Sequence, residues 1–290
     1  MTNRPEIIAI DGGGTRCRVA CLRSGKRTLI EVSSANASTD LAGTIEQVNK
    51  GLALLAERLS LTTGDLAQIP AFVGLAGMVG PEIRQAIADG IHLSHARIED
   101  DRPAAVRGAL GREDGAIAHC GTGSFFAVQQ DGAIRLSGGW GPILGDEASA
   151  QWLGRKALLA ALDVADGLRP PSPLAEALLR EHGSTAGIVS FAASATPARF
   201  GELAPKVTKA AQSEDPLALK LLKHGADHIA RTLTDMGWTS PLPICLTGGL
   251  APRYEQFLPH DMRSAIAPAK GEPIDGALSL AQDLRREMSA

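Results

Sequence analysis

The sequence predicts an α/β protein of two related lobes facing one cleft, and three observations carry that reading. A short apolar run breaks into glycines at IIAIDGGGTRCR (7–18), strands and helices alternate after it, and a strand–glycine turn–strand device recurs from residue 114. Ile7 to Ile10 have the length and β-branching of a buried strand. Beyond the glycines, Cys17, Val19 and Cys21 alternate with Arg18, Ala20 and Leu22, the period of a returning strand. Gly12 to Thr15 then form a hairpin turn, and without a Cβ its backbone N–H groups can come close to a ligand. Such a turn alone is a weak sign of phosphate binding.

The elements follow in order. A helix starts at Asp40 and carries Leu41, Ile45, Val48, Leu52, Leu55 and Leu59 on one face. PAFVGLAG (70–77) reads as a strand ending at glycines, and PEIRQAIAD as a short helix opened by Pro81. HARIED (95–100) is a strand running into Asp100 and Asp101, with RPAAVRGAL a helix beyond it. That alternation predicts a largely parallel sheet begun by a hairpin. From residue 114, DGAIAHCGTGSFFAVQQDGAIRLSG reads as strand, Gly-Thr-Gly turn, strand, Asp-Gly turn, strand, with no residue-level repeat of the opening. Residues 146 to about 236 are mostly helical, with RPPSP (169–173) a loop among them and a long helix from Asp215-Pro216. LPICLTGGLAP (242–252) is a strand broken by glycines, and a closing helix from Pro273 carries Ile274, Ala277, Leu278, Ala281 and Leu284 as a stripe.

Composition narrows the function classes. With 44% apolar and 21% charged residues the chain is an ordinary globular one, and a net charge of −3 leaves no basic footprint for nucleic acid or an anionic membrane. MTNRPE leads straight into the first strand without an apolar signal segment, and no apolar run approaches the ~20 residues of a bilayer-spanning helix. Those few residues also leave no room for an N-terminal helix-turn-helix, which speaks against a sugar-sensing repressor. Cys17, Cys21, Cys120 and Cys245 are scattered through apolar stretches, which fits reduced core thiols and a cytoplasmic setting.

Four segments place glycines at or just past a predicted strand end, where α/β proteins bind ligands: DGGGT (11–15), CGTGS (120–124), GGWGPILGDEAS (138–149) and LTGGLAP (246–252). Two Gly/Thr turns can offer backbone N–H groups and hydroxyls to a polyphosphate. Neither carries GxxxxGK[ST], and DGGGT leads into a strand where a Rossmann fingerprint needs a helix.

Taken together these segments resemble the N-acetylglucosamine and glucosamine kinases of the BadF/BadG/BcrA/BcrD group, in the sugar kinase, Hsp70 and actin ATPase superfamily. GTGS followed by GGWG and LGDE is the specific part, and the likeness runs over nearly the whole chain. It implies two ribonuclease-H-like lobes, residues 1–113 and 114–272, with helix 273–289 packing back on the first. It implies ATP with Mg²⁺ and transfer to an amino sugar, glucosamine or N-acetylglucosamine, at the 6-hydroxyl, with no nucleic-acid or membrane partner and room for a homodimer. Two positions depart from the family pattern: Ala148 stands where GDEGS is usual, and Asp100 where Asn precedes the aspartate.

The resemblance assigns roles. Asp11 suits a water-mediated Mg²⁺ contact, since Mg²⁺ keeps most of its waters; its plain alternative is capping the hairpin. Gly13, Gly14, Thr15, Thr122 and Gly123 are phosphate candidates, with Gly248 and Gly249 admitting adenosine. Asp101 matches the base that takes the sugar hydroxyl proton; a free Asp titrates near ~3.9, and the plain alternative is an N-cap for the helix from Arg102. Asp100 is its rival one residue away. Asn36, Asp101, Thr122, Gly139, Trp140, Asp146 and Ala150 match sugar contacts, although Asp146 can equally cap the helix starting at GDEASAQWLG and Trp140 can be core. His119 reads as a satisfied buried histidine. The rival function is an ATPase activator of a 2-hydroxyacyl-CoA dehydratase or benzoyl-CoA reductase, which holds an iron–sulfur cluster on loop cysteines.

Overall fold

The structure, a computed structural model, describes residues 6–290. The chain forms two compact units: one runs to Arg112 and resumes at Ala269–Ala290, the other is Glu113–Pro268.

In the first unit β1 (Ile7–Gly12), β2 (Arg16–Arg23) and β3 (Lys26–Ser33) form an antiparallel meander. Across β1, β4 (Ala71–Leu75) and then β5 (Ala96–Asp100) add in parallel, giving the order β3-β2-β1-β4-β5 of a ribonuclease-H-like sheet. The connections are helical: α1 (Leu41–Leu59), α2 (Thr63–Ala67), α3 (Pro81–Gly90) and α4 (Arg102–Leu110). Asp40 opens α1 by accepting the Gly43 N–H at 2.8 Å.

Strand period sorts the core. Ile8, Ile10, Val19, Val73 and Ile98 cluster with Val48, Leu52 and Leu55 of α1 and Ile87 of α3. Ile7, Ala9, Ala20 and Phe72 point the other way, into a second cluster completed by Ala104 of α4 and residues 274–281. Both faces of β1 are thus covered, which explains its unbroken apolar run.

The second unit repeats the plan. β6 (Gly115–Cys120), β7 (Ser124–Gln130) and β8 (Ala133–Gly138) form an antiparallel meander, and β9 (Ile244–Thr247) pairs in parallel with β6, in the order β8-β7-β6-β9. Where the first sheet has β5, the second has a single parallel bridge between Ile244 and Ile266. The sheets therefore share a topology that the residues alone do not display.

Six helices precede β9: α5 (Gly141–Leu144), α6 (Ala150–Ala165), α7 (Pro173–His182), α8 (Thr185–Ser194), α9 (Pro197–Gly201) and α10 (Ala204–Gln212), with a seventh and longest, α11 (Pro216–Asp235). A 3-10 helix (Ala251–Phe257) and α12 (His260–Ser264) close the unit. Its core gathers Phe126, Trp152, Leu178, Leu222, Ile229, Leu233 and Tyr254. Asp215 pins two helix starts at once, accepting from Ser172 Oγ and from the N–H groups of Leu174, Leu217 and Ala218.

The chain then returns to the first unit as α13 (Pro273–Glu287), which lies on α4 and β1. Gly108 and Gly276 make this possible: a Cβ on Gly276 would run into Ala104 O and Gly108 N. Arg107 of α4 donates to Asp283 of α13 at 2.8 Å. Several short elements go beyond the sequence reading, among them α5, the 3-10 helix, α12, β3 and α2. β3 is a half-exposed edge strand with a weak apolar pattern, and α2 is too short to show a stripe. Among the described residues no helix is long and apolar enough to cross a membrane.

Candidate active site

The first unit collects its candidate residues at the C-terminal ends of β1, β4 and β5. Ala76 N–H donates to Gly12 O at 2.7 Å, and Asn36 bridges to Ala76, so the Asn36 loop lies beside the DGGGT turn. Asn36 Oδ1 accepts from Ser38 N–H (3.2 Å) and Ser38 Oγ (2.9 Å), which leaves its amide hydrogens for another partner. Gly13 N–H closes the turn on Arg16 O at 2.9 Å, while Gly14 and Thr15 are exposed.

The glycines of this turn differ in what they do. None of Gly12, Gly13 and Gly14 has a positive φ, so their role is one of space and not of left-handed backbone. Gly12 is required by space: a Cβ would come 2.5 Å from Leu75 Cδ2 and 3.1 Å from Ala35 Cβ. At Gly13 the nearest atom is Arg16 O at 3.7 Å, and at Gly14 nothing lies within 4 Å. Gly12→Ala should therefore destabilise the unit by about 1–3 kcal/mol, as overpacking does. Gly13→Val should leave the urea midpoint near wild type and still weaken ATP binding in calorimetry. If Gly13→Val unfolded instead, the turn would be structural and nothing more.

Asp11 is not a free carboxylate. Its Oδ2 accepts from Arg18 Nη2 (2.7 Å) and Nε (3.1 Å), and Arg18 Nη1 reaches Glu272 Oε2 at 2.9 Å. Burial raises the Asp11 pKa, against the hydrogen bond and charge of Arg18. Arg18, 6% exposed, ties the turn to the residue that opens α13. A charge in the middle of a strand was the sequence signal for this pair, and the sequence reading passed over it.

Asp100 and Asp101 divide their duties. Asp100 Oδ1 accepts both the Arg102 N–H (3.0 Å) and Arg102 Nε (2.5 Å). Asp101 makes no side-chain cap on α4, so the capping alternative falls to its neighbour. Burial, then the charges of Asp100 and Asp11, push the Asp101 carboxyl up to about 7, well above the ordinary carboxylate of the sequence reading.

In the second unit the Gly121–Thr122–Gly123 turn joins β6 to β7, and Gly121 O accepts the Ala150 N–H at 2.8 Å. Gly248 packs on the same strand end, with Leu250 N–H on Cys120 O at 2.9 Å. Asp146 Oδ1 accepts Ser124 N–H at 3.4 Å, and a Cβ on Gly123 would sit 3.0 Å from Asp146 Oδ2. The turn thus brings together Thr122, Gly123, Asp146, Ala150 and Gly248, with Thr122, Gly248 and Gly249 exposed. Burial raises the Asp146 pKa, opposed by backbone N–H groups of Ser124 and Gly141.

Two expectations here are corrected. Helix α6 begins after Ser149, which caps it by accepting Trp152 N–H at 3.2 Å; Asp146 sits upstream at φ 62° and does not cap it. Trp140 is 68% exposed and so is not core; Ile143 and Leu144 beside it are 88% and 82% exposed. Ala148, at φ 65°, also takes a left-handed conformation that costs a non-glycine residue about 1 kcal/mol or more. Buried Tyr254 Oη steadies it by donating to Ala148 O at 2.9 Å. Tyr254→Phe should cost about 1–2 kcal/mol in urea denaturation by stranding that carbonyl, and loosen Asp146 enough to raise the KM for sugar.

The profile of the BadF/BadG/BcrA/BcrD ATPase family matches residues 8–277. The chain belongs to that family. A glucosamine kinase of Vibrio cholerae, GspK, is 28% identical over 278 residues, spanning 94% of this chain and 95% of its own. The crystal structure of a candidate N-acetylglucosamine kinase from Chromobacterium violaceum matches at a TM-score of 0.87 and 29% identity, over 97% of this chain and 100% of that one. A ROK family glucokinase from Streptomyces griseus, solved with glucose and AMPPNP, matches at 0.57 and 17% identity over 97% and 99% of the two chains, which shows a shared fold.

In this BadF/BadG/BcrA/BcrD ATPase family member the four cysteines are buried and none is in a disulfide, and burial pushes the Cys17 thiol up to about 12 and Cys120 still higher. Among the described residues no three His, Cys, Asp or Glu side chains gather as a metal centre. Asp11 Oδ1 fits a single contact to a hydrated Mg²⁺, whose other ligands would be water and phosphate.

Proposed function

We propose that this chain is an ATP-dependent kinase that phosphorylates an amino sugar, glucosamine or N-acetylglucosamine, at the 6-hydroxyl. One observation carries the mechanism: Asp101 stands at the end of β5, relieved of capping by Asp100 and titrating at about 7. A base poised near the working pH accepts the hydroxyl proton as the oxygen attacks the γ-phosphate. Asn36, Gly139, Trp140, Asp146 and Ala150 hold the sugar in this reading, Asp146 through charge-assisted bonds to hydroxyls. Exposed Trp140 then offers a face to the sugar ring. Gly13, Gly14 and Thr15 are the phosphate-binding residues of the first unit in this reading, and Thr122 and Gly123 those of the second, where Gly248 and Gly249 admit adenosine. Asp11 would hold a Mg²⁺ ion through water, and the ion when bound would supply charge neutralisation at the phosphates. The names of the Vibrio and Chromobacterium relatives support the substrate class. Buried cysteines give the activator reading no cluster ligands and suit a cytoplasmic enzyme.

ADP release by the purified protein on a panel of glucosamine, N-acetylglucosamine, glucose and no sugar tests this. Turnover should rise sharply with one amino sugar and stay slight without it. Brisk hydrolysis indifferent to sugar would overturn the kinase reading in favour of the activator.

A further inference from the structure

The two sheets share a register that gives His119 a meaning the sequence reading missed. In the first hairpin the last cross-strand pair is Gly12 with Cys17, and the pair before it is Asp11 with Arg18. In the second the last is Cys120 with Ser124, and the pair before it is His119 with Phe125. Each precedes a glycine turn, and each is flanked by a parallel strand, Gly74 beside Asp11 and Thr247 beside His119. His119 therefore occupies in the second sheet the seat that Asp11 holds in the first.

Its surroundings suit a neutral donor. The ring stacks on Phe125, with centroids 5.1 Å apart, and Nδ1 lies 3.0 Å from Thr247 Oγ1. Nε2 faces the Gly-Thr-Gly turn: a Cβ on Gly121 would come 3.2 Å from it. The hydrogen bond of the ring runs from Nδ1 to Thr247, which leaves Nε2 open to a further partner. Burial draws the imidazole down to about 4, so it is neutral near pH 7.

We propose that His119 is a nucleotide-binding residue whose Nε2–H donates to the phosphate chain of ATP beside the Gly121–Gly123 turn, while the Thr247 hydroxyl donates to Nδ1 and fixes that tautomer. The proposal rests on the kinase reading and deepens it. With the Thr247 proton directed at Nδ1 the ring proton stays on Nε2, so both ring nitrogens are paired when phosphate is bound. A packing histidine would need the stack on Phe125 and the Thr247 contact alone.

Calorimetric titration of ATP into three proteins tests it, with the KM for sugar measured alongside. Asparagine places its amide near Nδ1 and glutamine extends to Nε2, so the pair separates the two roles. His119→Asn should weaken ATP about tenfold, the worth of one neutral hydrogen bond, with sugar KM unchanged, and His119→Gln should stay within about threefold of wild type. If either variant fails to fold, Thr247→Val serves: freeing the tautomer should weaken ATP about threefold. ATP binding by His119→Asn or Thr247→Val equal to wild type, or equal losses of ATP and sugar in both histidine variants, would overturn the role of His119 and leave the kinase intact. A wild-type protein that binds no ATP would remove both.

Discussion

Asp101→Asn should lower kcat by at least ~100-fold, the usual contribution of a positioned base, while ATP and sugar still bind. Asp100→Asn should do the reverse: its amide oxygen still accepts the Arg102 N–H, the ion pair to the Arg102 guanidinium is lost, and the variant gives up a little stability but keeps most turnover. If Asp100→Asn were dead and Asp101→Asn active, the assignment would be wrong by one residue. The pH dependence follows from the same group. Asp101 works as its carboxylate, so kcat/KM should climb through about 7 and level above it. Stability should run the other way. The folded Asp101 keeps its proton up to about 7, whereas an unfolded aspartate loses it near ~3.9. Across that window the folded state binds more protons, so the term from Asp101 falls as pH rises. Asp101→Asn should then have a higher urea midpoint than wild type at pH 8, an inactive protein sturdier than the active one.

Arg18→Met carries the largest expected loss of stability, about 3–5 kcal/mol, because it leaves the Asp11 carboxylate buried and unpaired. Glu272 is 61% exposed at the other end of Arg18, so Glu272→Gln should cost under about 1 kcal/mol. Replacing both buried partners, Arg18→Met with Asp11→Leu, should recover much of the loss in urea denaturation while abolishing turnover. A single Arg18→Met as stable as wild type would mean that Asp11 does not need the guanidinium.

What the sequence disclosed depended on distance along the chain. β1 and the helix after Asp40 announce themselves because burial on a sheet or one helix face imposes a short period on neighbouring residues. Glycine turns at strand ends are local too, so DGGGT and GTGS fell where the strands end. The pairing of Arg18 with Glu272 spans 254 positions and has no periodic trace. Asp100 and Asp101 are adjacent and alike in type; only the backbone at the start of α4 decides which is spent on Arg102. Trp140, matched to the sugar with core as its plain alternative, opens a four-residue helix and stands exposed beside Ile143 and Leu144, an exposure that apolar residue types alone do not foretell.

Helix α13 sets an order of events during synthesis. It covers Ile7, Ala9 and Phe72, yet it is encoded after the whole of the second unit. From Leu110 to Ala281 the ribosome adds about 170 residues, on the order of 10–30 s at ~5–20 residues per second. Through that interval one face of the first sheet has only α4 as cover, while the second unit, continuous in sequence, emerges with everything its core requires. The nascent chain should thus close its later unit first, with the earlier one waiting, apolar face open to a chaperone, until α13 leaves the exit tunnel.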